Sequence, residues 1–233
     1  MAMMTMMTGP YVARHRPPAV SNVVEVTRRR STDAPERGAN DRLGAVAVIA
    51  GPVVFVTTWV VAGGRYDGYT PTVDPISELA AVGAPTRVLM TAGFVAYGAF
   101  VLAAAPSLGR RFGRSTGIAA ALNAVATFAV AALPLGSPTT EDLHGVAAGA
   151  AYVALVAIPL TATRRLCREG SGRWVIGSAL VAGVAMVALA SSVIGDSAGL
   201  AQRIGLSTVD GWLIAAGIAL LVRGSVGAAE SRP

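Results

Sequence analysis

The sequence predicts an all-α, polytopic membrane protein: a six-transmembrane-helix bundle with the N- and C-termini cytoplasmic. Three observations carry this reading. The 233 residues are 53% apolar and only 14% charged, whereas soluble domains carry about a quarter charged residues. The apolar residues gather in six runs, most of them near the roughly 20 residues that cross a hydrocarbon core of about 30 Å at about 1.5 Å rise per residue. Finally, the arginines alternate between successive connections, as the positive-inside rule requires.

Residues 1–42 are rich in Arg, Pro, Ser and Thr, with Pro17-Pro18 and Arg28-Arg29-Arg30, and are expected to form a disordered cytoplasmic tail. The stretch Met1 to Met7 lacks the continuous apolar core of a signal peptide, so no cleavage is expected. The transmembrane domain occupies 43–223. Its first span covers about 43–62 and contains Gly51-Pro52, where the missing backbone donor predicts a kink. The second covers 87–105 and is expected to stop at Pro106. Spans three to six follow at 115–133, 142–161, 174–194 and 208–222, before a short cytoplasmic tail at 224–233. Asp74-Pro75 reads as an N-cap followed by a first-turn proline, opening a short helix over Ile76 to Val82. Ser207 and Asp210 fit the capping-box spacing, so Asp210 reads as a cap at the start of the last span.

Orientation follows from the basic residues, all nineteen of which are arginine. Seven lie in the N-terminal tail, three at 106–114, four at 162–173 and two in the C-terminal tail. Only Arg65, Arg87 and Arg203 fall elsewhere. Loops 63–86, 134–141 and 195–207 are therefore expected to be extracytoplasmic, in a protein of the cell membrane. A formal charge of +6 without aromatic interleaving or a recognition helix argues against nucleic acid as a partner. The single cysteine, Cys167, excludes an intramolecular disulfide and a zinc site built on paired cysteines.

Asn123, Thr57, Thr58 and Thr127 are the main polar groups at mid-depth and are expected to bond between helices. Ionisable groups are missing from the centres of most spans, which argues against a charge-relay proton pathway. The outer face differs. Asp74, Ser77 and Glu78 from loop one, Asp142 and His144 at the start of span four, and Gln202 and Arg203 from the fifth connection converge on one membrane surface. These seven are the candidate ligand-binding residues, for a membrane lipid or a small amphiphile. A structural reading competes: acids are favoured at a helix N-terminus whatever the function, and Arg203 would pair with a neighbouring acid to staple the loops.

No catalytic residue, cofactor or metal site is assigned, and a non-enzymatic role is the preferred reading. One alternative is a membrane-embedded, metal-dependent hydrolase acting on lipid. His144 is the one histidine near the membrane, His15 lying in the tail, so a three-histidine zinc set cannot be assembled from one chain. A small transporter is another, although no inverted repeat is evident. The Gly145-Val-Ala-Ala-Gly149 pattern permits close helix approach, within the bundle or in a homo-oligomer.

The stretch Tyr69 to Leu79, ending Pro75-Ile-Ser-Glu-Leu79 and followed by Gly83, resembles the first outer loop of the domain-of-unknown-function family 998 of bacterial integral membrane proteins. The segment from Pro134 through Asp142 to His144 is similar to that family's proline, acid and histidine stretch. Gly199-Leu-Ala-Gln202-Arg203-Ile204, with Trp212 downstream, resembles its closing motif. Leu133 stands where the family has phenylalanine. The resemblance covers about residues 43–222 and implies a six-span membrane fold with no assigned activity.

Overall fold

The computed structural model describes residues 20–194 and 196–230, with side chains from 41 to 194 and from 196 to 222. The chain divides into two units, Met1–Arg37 and Gly38–Pro233, and the second holds the bundle. Six helices follow one another: α1 (Val20–Gly63), α2 (Arg87–Phe112), α3 (Arg114–Ala132), α4 (Glu141–Arg168), α5 (Gly172–Ile194) and α6 (Ala198–Glu230). A 3-10 helix, Ile76–Ala80, lies between α1 and α2, and no strand occurs among the described residues. All six helices are long and apolar enough to cross a membrane, α1 over Asp41–Gly63 and α6 over Ala198–Val222. Even α3, at 19 residues, is about 28 Å long.

The outer surface supports the same conclusion. Val46, Val53 and Val60 of α1 recur every seventh residue and are all exposed. On α4, Val146 and Val153 are 70% and 73% exposed. A soluble fold would not leave rows of branched aliphatics in water, and lipid explains them at no cost.

Several boundaries differ from the sequence reading, each for a physical reason. Helix α1 begins at Val20, where a disordered tail was expected. Extending a helix already formed adds one hydrogen bond per residue, without the cost of nucleation. Residues 1–19, with His15 and the methionine-rich start, lie outside the described residues. Helix α2 does not stop at Pro106 but continues to Phe112. One lost backbone bond costs less than ending a helix in a place without water. The arginine-rich connections shrink in consequence. Gly113 alone links α2 to α3, at φ 111°, a conformation open to glycine because it has no Cβ.

The largest shift is in α6, which starts at Ala198 rather than at 208. The expected loop 195–207 is reduced to three residues. Ser207 and Asp210 sit inside the helix, where the backbone donors are already bonded, so the capping-box reading of Asp210 fails. The C-terminal tail likewise continues α6 as far as Glu230.

Successive helices from α2 to α6 pack side by side, and α4 also touches α2 and α6. Helix α6 closes against α1: a Cβ on Gly217 would lie 2.5 Å from Val48 Cγ1. Gly117 of α3 is pressed against backbone, with Ala105 O and Gly109 Cα of α2 only 2.8 and 2.9 Å from its added Cβ. These are the close seams of the bundle. Gly145 and Gly149 are not among them. Both face outward with nothing within 4 Å, which overturns their reading as packing points within the bundle.

The polar threonines also depart from expectation. Asn123 does bond between helices, its Nδ2 donating to Ala151 O of α4 at 3.0 Å. Thr58 and Thr127 instead donate to Val54 O and Asn123 O one turn back on their own helices, and Thr57 is exposed. A threonine hydroxyl finds its own i−4 carbonyl before any neighbour.

Candidate functional site

Loop one folds down onto the first turns of α6. The leading amides of a helix have no partner within it, and here loop one supplies carbonyls. Gly199 N–H donates to Val73 O at 3.0 Å and Leu200 N–H to Thr72 O at 2.9 Å. The approach is so close that a Cβ on Gly199 would fall 2.4 Å from Asp74 O, so only glycine fits. Arg203, one turn further, clamps the loop. Its Nη1 reaches the carbonyls of Pro71, Asp74 (3.0 Å) and Gly199 (2.9 Å), and its Nη2 donates to the Tyr69 hydroxyl. The guanidinium also lies 5.2 Å from the Trp59 ring centre and 5.5 Å from that of Tyr69, within cation–π range. The expected pairing of Arg203 with an acid is therefore replaced: carbonyl dipoles and two rings take its charge.

Gln202, the neighbour of Arg203, ties three elements together. Its Oε1 accepts from Ile76 N–H at 2.7 Å, and its Nε2 donates to the Tyr152 hydroxyl of α4. Loop three is joined to the same assembly by Val82 N–H donating to Leu135 O at 2.9 Å. Asp74 does not cap the 3-10 helix as expected. Its Oδ2 accepts from Thr70 N–H upstream at 2.6 Å, and the helix, with Pro75 at its cap position, ends at Ala80.

Beneath this roof lies an internal cavity of about 50 Å³, room for a few water-sized groups. Ser77 and Gln202 line its loop-one end, and His144, Asn123 and Asp210 bring polar atoms to its walls. Phe55, Phe94, Tyr97 and Leu155 supply much of the remainder. His144 is buried, and its Nδ1 lies 2.5 Å from Leu133 O. A carbonyl can only accept, so Nδ1 carries a proton. Asn123 Oδ1 and Asp210 Oδ2 are buried with no hydrogen-bond partner. Asp210 is 3% exposed and lies about 18 Å along α6 from Ala198, near mid-depth. Most spans lack an ionisable group at their centres, as expected, and this residue makes α6 the exception.

The seven predicted residues thus separate. Ser77, His144 and Gln202 line the cavity, and Arg203 secures the loop above it. Asp74 and Glu78 flank a separate open depression on the outer surface with Asp67 and Tyr69. Asp142 is exposed in the first turn of α4 and lines neither. Partial burial, then the charges of Asp74 and Glu141, push the Glu78 carboxyl above its usual value. Burial outweighs the nearby Arg203 guanidinium and raises the Tyr69 hydroxyl. Among the described residues no three His, Cys, Asp or Glu side chains come together to hold a metal ion.

Asn123 and Asp210 complete the cavity, and the sequence reading gave neither a site role. Asn123 entered as helix glue. Asp210 was concealed because the polar pair Gln202-Arg203 displaced the predicted start of the last span onto it. The general rule that an acid within an apolar run marks a functional position was the signal available.

Six helices long and apolar enough to cross a membrane define a multi-pass helical membrane protein. The chain belongs to the family described as "Protein of unknown function (DUF998)", whose model matches residues 49–219. No curated protein and no solved structure gives a significant match.

Proposed function

We propose that this is a non-enzymatic protein of the cell membrane that binds the head of a lipid or small amphiphile in the cavity beneath loop one, with both termini in the cytoplasm. The observation that carries the reading is the cavity itself: polar groups with unfilled hydrogen bonds, inside a membrane-length bundle, under a loop anchored by Arg203. Buried polar atoms are normally paired, and an unpaired one costs about 1–3 kcal/mol. A bound polar group removes that cost. Size supports a head rather than a whole lipid, since about 50 Å³ holds only a few non-hydrogen atoms. The arginine distribution supports the orientation, sixteen of nineteen lying in the tails and the two basic connections.

The test is native mass spectrometry of protein extracted with its lipids. A bound small molecule should accompany the wild type and be lost from Ala148→Phe, whose ring would fill the cavity that Ala148 lines, while circular dichroism shows the helical bundle retained. Equal recovery from both proteins would reject the cavity as the site.

A further inference from the structure

Resting on that reading of the cavity, we propose that the ligand group it takes is a primary ammonium, held by Asp210 and Asn123. Both residues line the one cavity. Asp210 Oδ2 and Asn123 Oδ1 are buried without a partner. A carboxylate and an amide oxygen accept, and a primary ammonium carries three donors and no acceptor.

Charge points the same way. A cation seated beside Asp210 lets its carboxyl ionise there, since a charge near the middle of a membrane requires a counter-charge, and no arginine lines the cavity. Arg203 cannot serve, because its guanidinium faces the loop-one carbonyls and the Trp59 and Tyr69 rings. The aromatic walls from Phe55, Phe94 and Tyr97 present further electron-rich surface to a cation. An anionic head would meet a carboxylate and an amide oxygen and is disfavoured. A quaternary ammonium lacks N–H donors, and its methyl groups would leave the same acceptors unfilled.

The ammonium can come from a free amine or from an ethanolamine lipid head, and the test separates the two. Full-length protein in phosphatidylcholine nanodiscs, which offer no N–H donor, is titrated with methylammonium chloride while thermal unfolding is followed. Tetramethylammonium chloride at the same ionic strength is the control. A saturable rise in midpoint with methylammonium alone is expected, with affinity about tenfold or more weaker in Asp210→Asn, the effect of losing a charge-assisted hydrogen bond. Asn123→Leu, which removes Oδ1 at similar volume, should weaken it as well, and serves in place of Asp210→Asn should that variant not fold. A rise already present in phosphatidylethanolamine nanodiscs, and lost in the same variants, assigns the ammonium to lipid. A response to methylammonium alone assigns it to a free amine.

No midpoint shift with either source, or an equal shift in wild type and variants, overturns the proposal. The failure modes are distinct. A copurifying molecule without an amine, displaced by Ala148→Phe, would retire the ammonium and leave the cavity a binding site. No bound molecule together with no response would remove both.

Discussion

Glu78 and Asp210 are both acids, and their surroundings give them opposite places in the molecule. Glu78 stands at the outer rim with Asp74 and Glu141 near it, and partial burial with those charges raises its carboxyl above the ordinary 4.5. A raised acid favours the fold fully below its unfolded value, and that contribution disappears as pH rises through the folded value. At pH 7 the ionised Glu78 therefore costs stability. Glu78→Gln should raise the thermal midpoint at pH 7 by an amount worth up to about 1 kcal/mol, given solvent screening. Unfolding scans across pH should show the gain shrinking as pH falls through the raised folded value and gone below 4.5. At the other end of the bundle, hydrogen bonds from Arg165 and Arg111 hold Glu169 below its usual value, so its contribution fades only in acid. Arg110 pairs with Asp41 nearby, an exposed contact of small weight.

At the scale of elements, helix existence was readable from hydropathy, and helix ends were not. Spans three and five came within two residues of α3 and α5, because glycine, serine and arginine precede their apolar runs and Pro134 or Gly195 follows them. Pro106 misled: it lies inside α2, as Pro159 does inside α4, since membrane surroundings penalise a broken helix more than one missing bond. In α6, Gln202 and Arg203 read as loop because polar residues usually meet water. Here they meet loop one, a tertiary fact with no local signature. The packing seams were equally hidden, as every glycine looks alike in sequence. Gly117→Ala should destabilise the bundle by about 1–3 kcal/mol, because the contacts it would overlap are backbone and cannot yield. Gly145→Ala, open on the outer face, should be neutral or slightly stabilising through helix propensity. Thermal unfolding of both proteins in one detergent checks the contrast.

For the whole molecule, the order of the chain brings loop one, loop three and the start of α6 to one end, and Asp41, Arg110, Arg111 and Glu169 to the other. The sequence reading gathered Ser77, His144 and Gln202 correctly because the parity of six spans alone puts them at one end. It missed the depth of the site, since parity says nothing of which side chains turn inward. In the proposed orientation the membrane separates those ends, with loop one on the outer side. The most direct measurement is labelling of intact cells with a membrane-impermeant maleimide, at native Cys167, exposed on the last turn of α4, and at Glu78→Cys in a Cys167→Ala background. Position 78 should react in sealed cells and Cys167 only after permeabilisation. Reaction of both from the same side would contradict the six-span threading and the outer site with it.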